Sequence, residues 1–170
     1  MNEEMRIFEF DNILGQEVTQ EMSYDRIARG IINDVMEGYN GTIMAYGQTG
    51  SGKSYTIFGK KNSLDGIQLT ADMGIVPRSV RQIFEYIRAN SSRAQFQVRI
   101  AFMQIYMEQI TDLIPDNEDQ DNSNNIPSVS PMVFNNKKKA HYNLKDGLQI
   151  REDPKTGIFV KGLKQIVNKY

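Results

Sequence analysis

Gly47-Gln48-Thr49-Gly50-Ser51-Gly52-Lys53-Ser54 satisfies the phosphate-binding pattern G-x-x-x-x-G-K-[ST] at every fixed position. Each residue type in it has a physical task. Glycines let the backbone curl and turn its N–H groups inward as an anion nest. The start of a following helix adds the positive end of its dipole. Lys53 has the reach to meet β- and γ-phosphates as a point charge, and the Ser54 hydroxyl is of the type that ligates Mg²⁺. The chemistry implied is capture of a nucleoside triphosphate as its Mg²⁺ complex. A flexible Gly/Ser loop could carry the same letters by chance, so the flanking elements must decide.

Those elements fit. Thr42-Ile43-Met44-Ala45-Tyr46 reads as a short apolar strand entering the loop, and Ser54 to Phe58 as a helix stopped by Gly59. Upstream, Thr19 is a fair N-cap with Gln20 and Glu21 in the first turn. Tyr24, Ile27, Ala28, Ile31, Ile32, Val35 and Met36 then lay one apolar stripe along a helix that Gly38 ends. Gly30 inside it costs about 1 kcal/mol relative to Ala. Arg6 to Asp11 alternates like a strand, so a βαβ arrangement leads into the loop. The Met and Ile stripe is core packing.

Beyond the loop, Lys60 to Asp72 is polar, and Pro77 suits the first turn of a helix with Val80, Ile83, Phe84 and Ile87 on its buried face. Asn90-Ser91-Ser92-Arg93-Ala94 links that helix to a long strand from Gln95 to Met107. Phe96, Val98, Ile100 and Phe102 share one face of the strand, while Ala101, Met103 and Ile105 share the other, which predicts burial on both sides toward its end. Residues 116–147 are an acidic, then Asn/Ser-rich, then lysine-bearing stretch, read as a long polar loop. Order returns with a hairpin over 148–161, where Pro154 sets the turn and Gly157 is free to take positive φ. His141 has no partner set for metal or general-base chemistry, and the chain has no internal repeat.

At 170 residues the chain is one domain or one large piece of a bigger one. A net charge of −1 gives no electrostatic reason to expect nucleic acid or an anionic membrane as partner. With 0 cysteines there is neither a disulfide framework nor a thiolate metal site. The acidic N-terminus is unlike a signal peptide, and no apolar run reaches the roughly 20 residues of a membrane span. A soluble cytoplasmic protein is the expectation.

The surrounding residues carry a closer likeness. Gly38-Tyr39-Asn40-Gly41-Thr42-Ile43-Met44-Ala45-Tyr46, running into the loop and Tyr55-Thr56, closely resembles the kinesin motor domain. Collinear matches follow at Phe8 to Asp11, Gly74 to Arg78, Gln104 to Glu108, Leu148 to Asp153 and Gly157 to Gly162. The Gln104 to Glu108 wording and the Glu152 to Gly157 turn resemble armadillo-repeat kinesins. The resemblance implies an incomplete α/β fold, roughly the first half of a P-loop NTPase three-layer α/β/α sandwich, occupying residues 1–170. It implies ATP and Mg²⁺ as cofactors, the microtubule (tubulin) as partner, and a cytoskeletal location. Carried over by position, Gly47, Gln48, Thr49, Gly50, Ser51, Gly52, Lys53 and Ser54 would cradle the phosphates, with Ser54 on Mg²⁺. Tyr55 would lie against adenine, although an aromatic packed within its helix is the plain alternative. Lys155 and Lys161 would face the acidic tubulin surface. Lys137, Lys138 and Lys139 could add steering or be no more than a solvated charge run.

Phosphoryl transfer needs a second Mg²⁺ anchor and a group that orients water. Kinesins draw these from an Asn-x-x-Ser-Ser-Arg-Ser-His switch and an Asp-Leu-Ala-Gly-Ser-Glu switch, and neither occurs in this sequence. Asn90 to Ala94 only partly matches the first and lies ahead of the Phe96 strand. The family's Arg-x-Arg-Pro adenine contact is also absent, so no catalytic residue is assigned. The expectation is a piece of a motor that alone binds nucleotide poorly and hydrolyses it negligibly. Its phosphate-loop strand would lack partners, at about 1–3 kcal/mol per buried unpaired group. Neck, coiled coil and tail, which would set direction, cargo and dimerisation, lie outside it. Two other readings use the same loop: a non-catalytic nucleotide-binding module, and a P-loop small-molecule kinase. The kinase fits less well, because its loop would follow the first strand.

Overall fold

The computed structural model describes residues 7–60, 70–114 and 147–170. Most of the expected polar loop, with Lys137 to Lys139 and His141, lies outside the described residues. Two compact units divide the chain, residues 1–88 and 89–170.

The first unit is helical. Thr19 caps α1 (Gln20–Ile27), its side chain accepting from the Met22 N–H at 3.2 Å. The expected single helix is jogged rather than continuous. Ala28, at φ −108°, separates α1 from α2 (Arg29–Met36), while Ala28 N still donates to Tyr24 O and Ile32 N to Ala28 O. Gly38, at φ 104°, ends the run as expected. Along the stripe Gln20, Tyr24, Ala28 and Ile32 are buried, at a spacing of four that keeps them on one side. Tyr24, Ala28 and Ile75 form a small core, against which Ile43 packs. Burial raises the Tyr24 phenol above its ordinary pKa, and its O–H donates to Gln82 Oε1. Gln82 in turn donates to Asn33 Oδ1 at 2.7 Å, tying α4 (Ile75–Asn90) to α2.

Pro77 falls in the first turn of α4, as expected. Ile87 is buried on that helix and Ile83 and Phe84 half-buried, whereas Val80 is exposed. Just before it, Gly74 meets the end of α3 (Lys53–Phe58), with Gly74 N donating to Phe58 O at 3.2 Å. A Cβ on Gly74 would sit 2.6 Å from Thr56 O and 2.7 Å from Gly59 N. Only glycine permits that approach.

Two expected strands are not formed. Residues 7–10 have no ladder, and Ile7, Phe8 and Phe10 are exposed. Residues 42–46 are also without ladder partners among the described residues, as the partnerless-strand expectation had it, so the βαβ arrangement is absent. The period of a strand survives in their burial: Ile43 and Ala45 are half-buried, while Met44 and Tyr46 are 83% and 98% exposed. Helices cover one face and nothing described covers the other. An isolated strand cannot satisfy its own N–H and C=O groups.

Among the described residues, the second unit holds three two-stranded antiparallel ladders. The long strand expected over 95–107 is two strands, β1 (Gln97–Ile100) and β2 (Met103–Tyr106), which pair with different partners. β1 pairs with β6 (Ile166–Lys169) and β2 with β3 (Gln109–Asp112) through a turn at Met107 and Glu108, both at positive φ. Phe96, Val98 and Ile100 are half-buried as one face, but Phe102, Met103 and Ile105 are exposed, against the expectation of burial on both sides. A bare hairpin has no second layer to cover its other face. The 148–161 hairpin is present as β4 (Gln149–Asp153) and β5 (Gly157–Lys161), with Gly157 at φ 79°. Asp112 braces the unit: its Oδ1 accepts from Ile114 N at 2.8 Å and its Oδ2 from Lys164 N at 2.7 Å.

Candidate functional site

The glycine-rich loop joins the extended 42–46 segment to α3. Gly50 and Gly52 adopt left-handed conformations, at φ 83° and 95°, and Gly52 is the N-cap of α3. A Cβ at Gly52 would meet nothing within 4 Å. Glycine is therefore required there for conformation and not for space. Ser51 N donates to Gln48 O at 3.2 Å, closing the turn, and Thr56 N to Gly52 O at 2.8 Å begins the helical ladder. The N–H groups of Lys53, Ser54 and Tyr55 precede that first bond and have no intrahelical partner.

Lys53 is folded over the loop. Its Nζ donates to Gly47 O at 2.7 Å and to Gln48 O at 2.6 Å. The ammonium is thus held at the concave side by the loop's own carbonyls, while Thr49, Gly50, Ser51 and Ser54 are exposed around it. A cavity of about 270 Å³ adjoins the loop, lined by Ala45, Tyr46, Ser51, Gly52, Lys53 and Thr56 among others. Helix-start amides without an intrahelical partner, a lysine ammonium on the loop carbonyls and an exposed serine hydroxyl follow one another along this loop, and groups of those kinds are donors suited to an anion with several oxygens.

Tyr55 is the next residue of α3, 52% exposed, so its ring is not an interior packing residue of that helix. Its carbonyl accepts twice: from Gly59 N at 2.8 Å and from Gln20 Nε2 at 2.8 Å. Gln20 is 6% exposed and reaches across from the first turn of α1. From the sequence Gln20 is only a first-turn residue behind the Thr19 cap. The available signal was position: Gln20 lies four residues ahead of Tyr24, at the head of the buried stripe, where an amide must find a partner.

The two lysines expected at a partner surface are not brought together. Lys155 lies in the turn between β4 and β5, and Lys161 at the opposite end, paired with Gln149. Both are exposed. Among the described residues no group of acidic, His or Cys side chains could hold a metal, and no helix is long and apolar enough to cross a membrane.

Comparison with known proteins places this geometry in a family. The family model described as "Kinesin motor domain" matches residues 1–169. The rice (Oryza sativa subsp. japonica) kinesin-like protein KIN-5C is 37% identical over 164 residues, covering 94% of this chain and 14% of that protein. The Homo sapiens kinesin-1 heavy chain is 41% identical over 107 residues, covering 63% of this chain and 10% of its own length. A solved fast-kinesin structure superposes with a TM-score of 0.67 at 33% identity, covering 95% of this chain and 36% of that one. The fold is that of an incomplete α/β P-loop NTPase, and the chain spans a minor part of the length of each of these relatives. With its phosphate-type loop running from an extended segment into α3 and a motor-domain match over nearly all its length, the chain belongs to the kinesin motor domain family.

Proposed function

We propose that this chain is the ATP-binding part of a microtubule motor, with residues 47–54 gripping the triphosphate of Mg-ATP. The observation that carries the reading is the loop itself: Lys53 Nζ on the carbonyls of Gly47 and Gln48, at the mouth of a turn whose helix start leaves amides unpaired. These residues fit a polyphosphate. The amides of Lys53 to Tyr55 would bind its oxygens, Lys53 would exchange carbonyl contacts for phosphate contacts, and the exposed Ser54 hydroxyl would be the ligand for Mg²⁺. Mg²⁺ held by Ser54 would supply neutralisation of phosphate charge. Tyr55, half out of its helix, is available to the adenine face.

Hydrolysis and movement are proposed for the complete motor domain, where a group that orients water is also needed. The fast-kinesin structure bears on ATPase mechanism and interactions with microtubules. Lys155 and Lys161, exposed at the two ends of the β4–β5 hairpin, are proposed to meet an acidic tubulin surface. The residues 1–170 are best read as one partial motor domain.

Calorimetric titration with Mg-ATP tests the reading. Uptake is expected, weak in the isolated chain and lowered at least tenfold by Lys53→Ala. Uptake untouched by that substitution would sink the proposal. Co-sedimentation with microtubules that falls on joint Lys155→Ala and Lys161→Ala substitution would support the second contact, and unchanged sedimentation would remove it.

A further inference from the structure

The helix behind the phosphate loop is too short to hold itself. It has 6 residues, Lys53–Phe58, against the roughly 12–15 that an isolated helix needs to be even marginal in water. Its pose must come from outside contacts. At its end, Gly74 N donates to Phe58 O, and Gly59 bridges Met73. In its middle, among the described residues, there is one side-chain hydrogen bond from another element, Gln20 Nε2 to Tyr55 O at 2.8 Å. Gln20 is itself fixed, 6% exposed in the first turn of α1 behind the Thr19 cap. Among the described residues it is the buried polar side chain.

We propose that Gln20 is a positioning residue for the nucleotide site, clamping the α3 backbone at Tyr55 so that Lys53, Ser54 and the loop amides keep a phosphate-ready geometry. The proposal rests on the Mg-ATP reading above. Gln20 does not touch the loop mouth; it acts through a carbonyl that already accepts the Gly59 N–H. A carbonyl oxygen has two lone pairs, and the buried amide occupies the second. Loss of the donor would leave α3 held only at its end, free to tilt at the end that meets phosphate. A small tilt would move Lys53, Ser54 and the loop amides off the positions from which they meet phosphate oxygens together.

Gln20→Met keeps the length of the side chain and removes the donor. Gln20→Glu keeps the shape and turns a carboxylate oxygen toward the carbonyl. Two readouts separate this proposal from its foundation. Hydrogen exchange without nucleotide should show the amides of residues 56–59 exchanging about tenfold faster in Gln20→Met, with those of α4 beyond its first turn unchanged. Calorimetry should show the affinity for Mg-ATP and for Mg-tripolyphosphate falling together by about tenfold, at a temperature where wild type and variant are both fully folded. Gln82→Met, which removes the α2–α4 tie and leaves α3 alone, serves as the stability control and should not lower affinity while folded. Unchanged α3 exchange in Gln20→Met overturns the clamp. So does faster exchange with unaltered ligand affinity, or an equal loss of affinity in folded Gln82→Met. A wild-type chain that takes up neither ligand overturns the Mg-ATP reading and the site role of Gln20 with it, while the exchange result still decides whether the anchor on α3 exists.

Discussion

Gly52 separates two reasons for a glycine. At φ 95° it needs a left-handed backbone, yet there is open space where a side chain would go. Gly52→Ala should therefore lower stability by about 1–2 kcal/mol through conformation alone, read as a shift in the denaturant midpoint. Gly52→Asn should recover part of that loss, because Asn tolerates the left-handed region. Equal losses for the two would contradict this account. Asp153 makes a different kind of prediction. Its Oδ1 accepts from Thr156 N at 2.9 Å and Lys155 N at 2.8 Å, and these bonds to the ionised form hold its pKa below the ordinary carboxylate value. A depressed pKa means that the turn is supported above the unfolded-state pKa and loses that support as pH falls through the folded one. The protection of the Lys155 and Thr156 amides, measured against their intrinsic exchange rates at each pH, should fall across that acid window in wild type. Asp153→Asn should remove the pH dependence, and an Asp153 carboxyl that titrates at its ordinary value would refute the argument.

At the scale of elements, the phosphate loop depends on packing between helices more than on its own strand. α3 is stapled to the start of α4 where Gly74 approaches the backbone of Thr56 and Gly59. Those neighbours are backbone atoms and cannot swing aside, so Gly74→Ala should cost about 1–3 kcal/mol by overpacking. Nucleotide affinity should fall further than the stability change explains, because α3 must move. A Gly74→Ala chain with wild-type affinity and midpoint would show that the staple yields. Helix starts were legible here: Thr19 and Pro77 mark their helices, because caps and first-turn prolines act over a few residues. The break at Ala101 and Phe102 was not legible. Apolar residues recur on both sides of it, at Phe96, Val98 and Ile100 and again at Met103 and Ile105, and the strand is divided by its separate partners, β6 and β3, one of them far off in sequence.

Over the whole molecule, the described residues leave much apolar side chain in water. Met44 and Tyr46 on the uncovered side of the 42–46 segment are 83% and 98% exposed. A segment with free backbone groups and an apolar face invites strand addition. Tyr46→Lys should therefore reduce light scattering and apolar-dye binding by the isolated chain while shifting its stability by no more than about 0.5 kcal/mol. A loss above about 1 kcal/mol would mean that Tyr46 is packed after all. The match to 36% of the fast-kinesin chain agrees with a sandwich whose layers are present only in part.

The sequence alone determined the features that act over short distances: the phosphate loop, the capped helices and the Asp153 to Gly157 turn. Each is specified by neighbours within a few residues, through φ/ψ preference, hydrogen bonds of side chain to nearby backbone, and apolar period. Only tertiary structure decided which extended segments became strands, since a strand is completed by a partner and residues 42–46 have none among the described residues. Tertiary structure alone also brought Gln20 to Tyr55. A hydrogen bond across thirty-five positions leaves no local trace beyond an amide on a buried stripe.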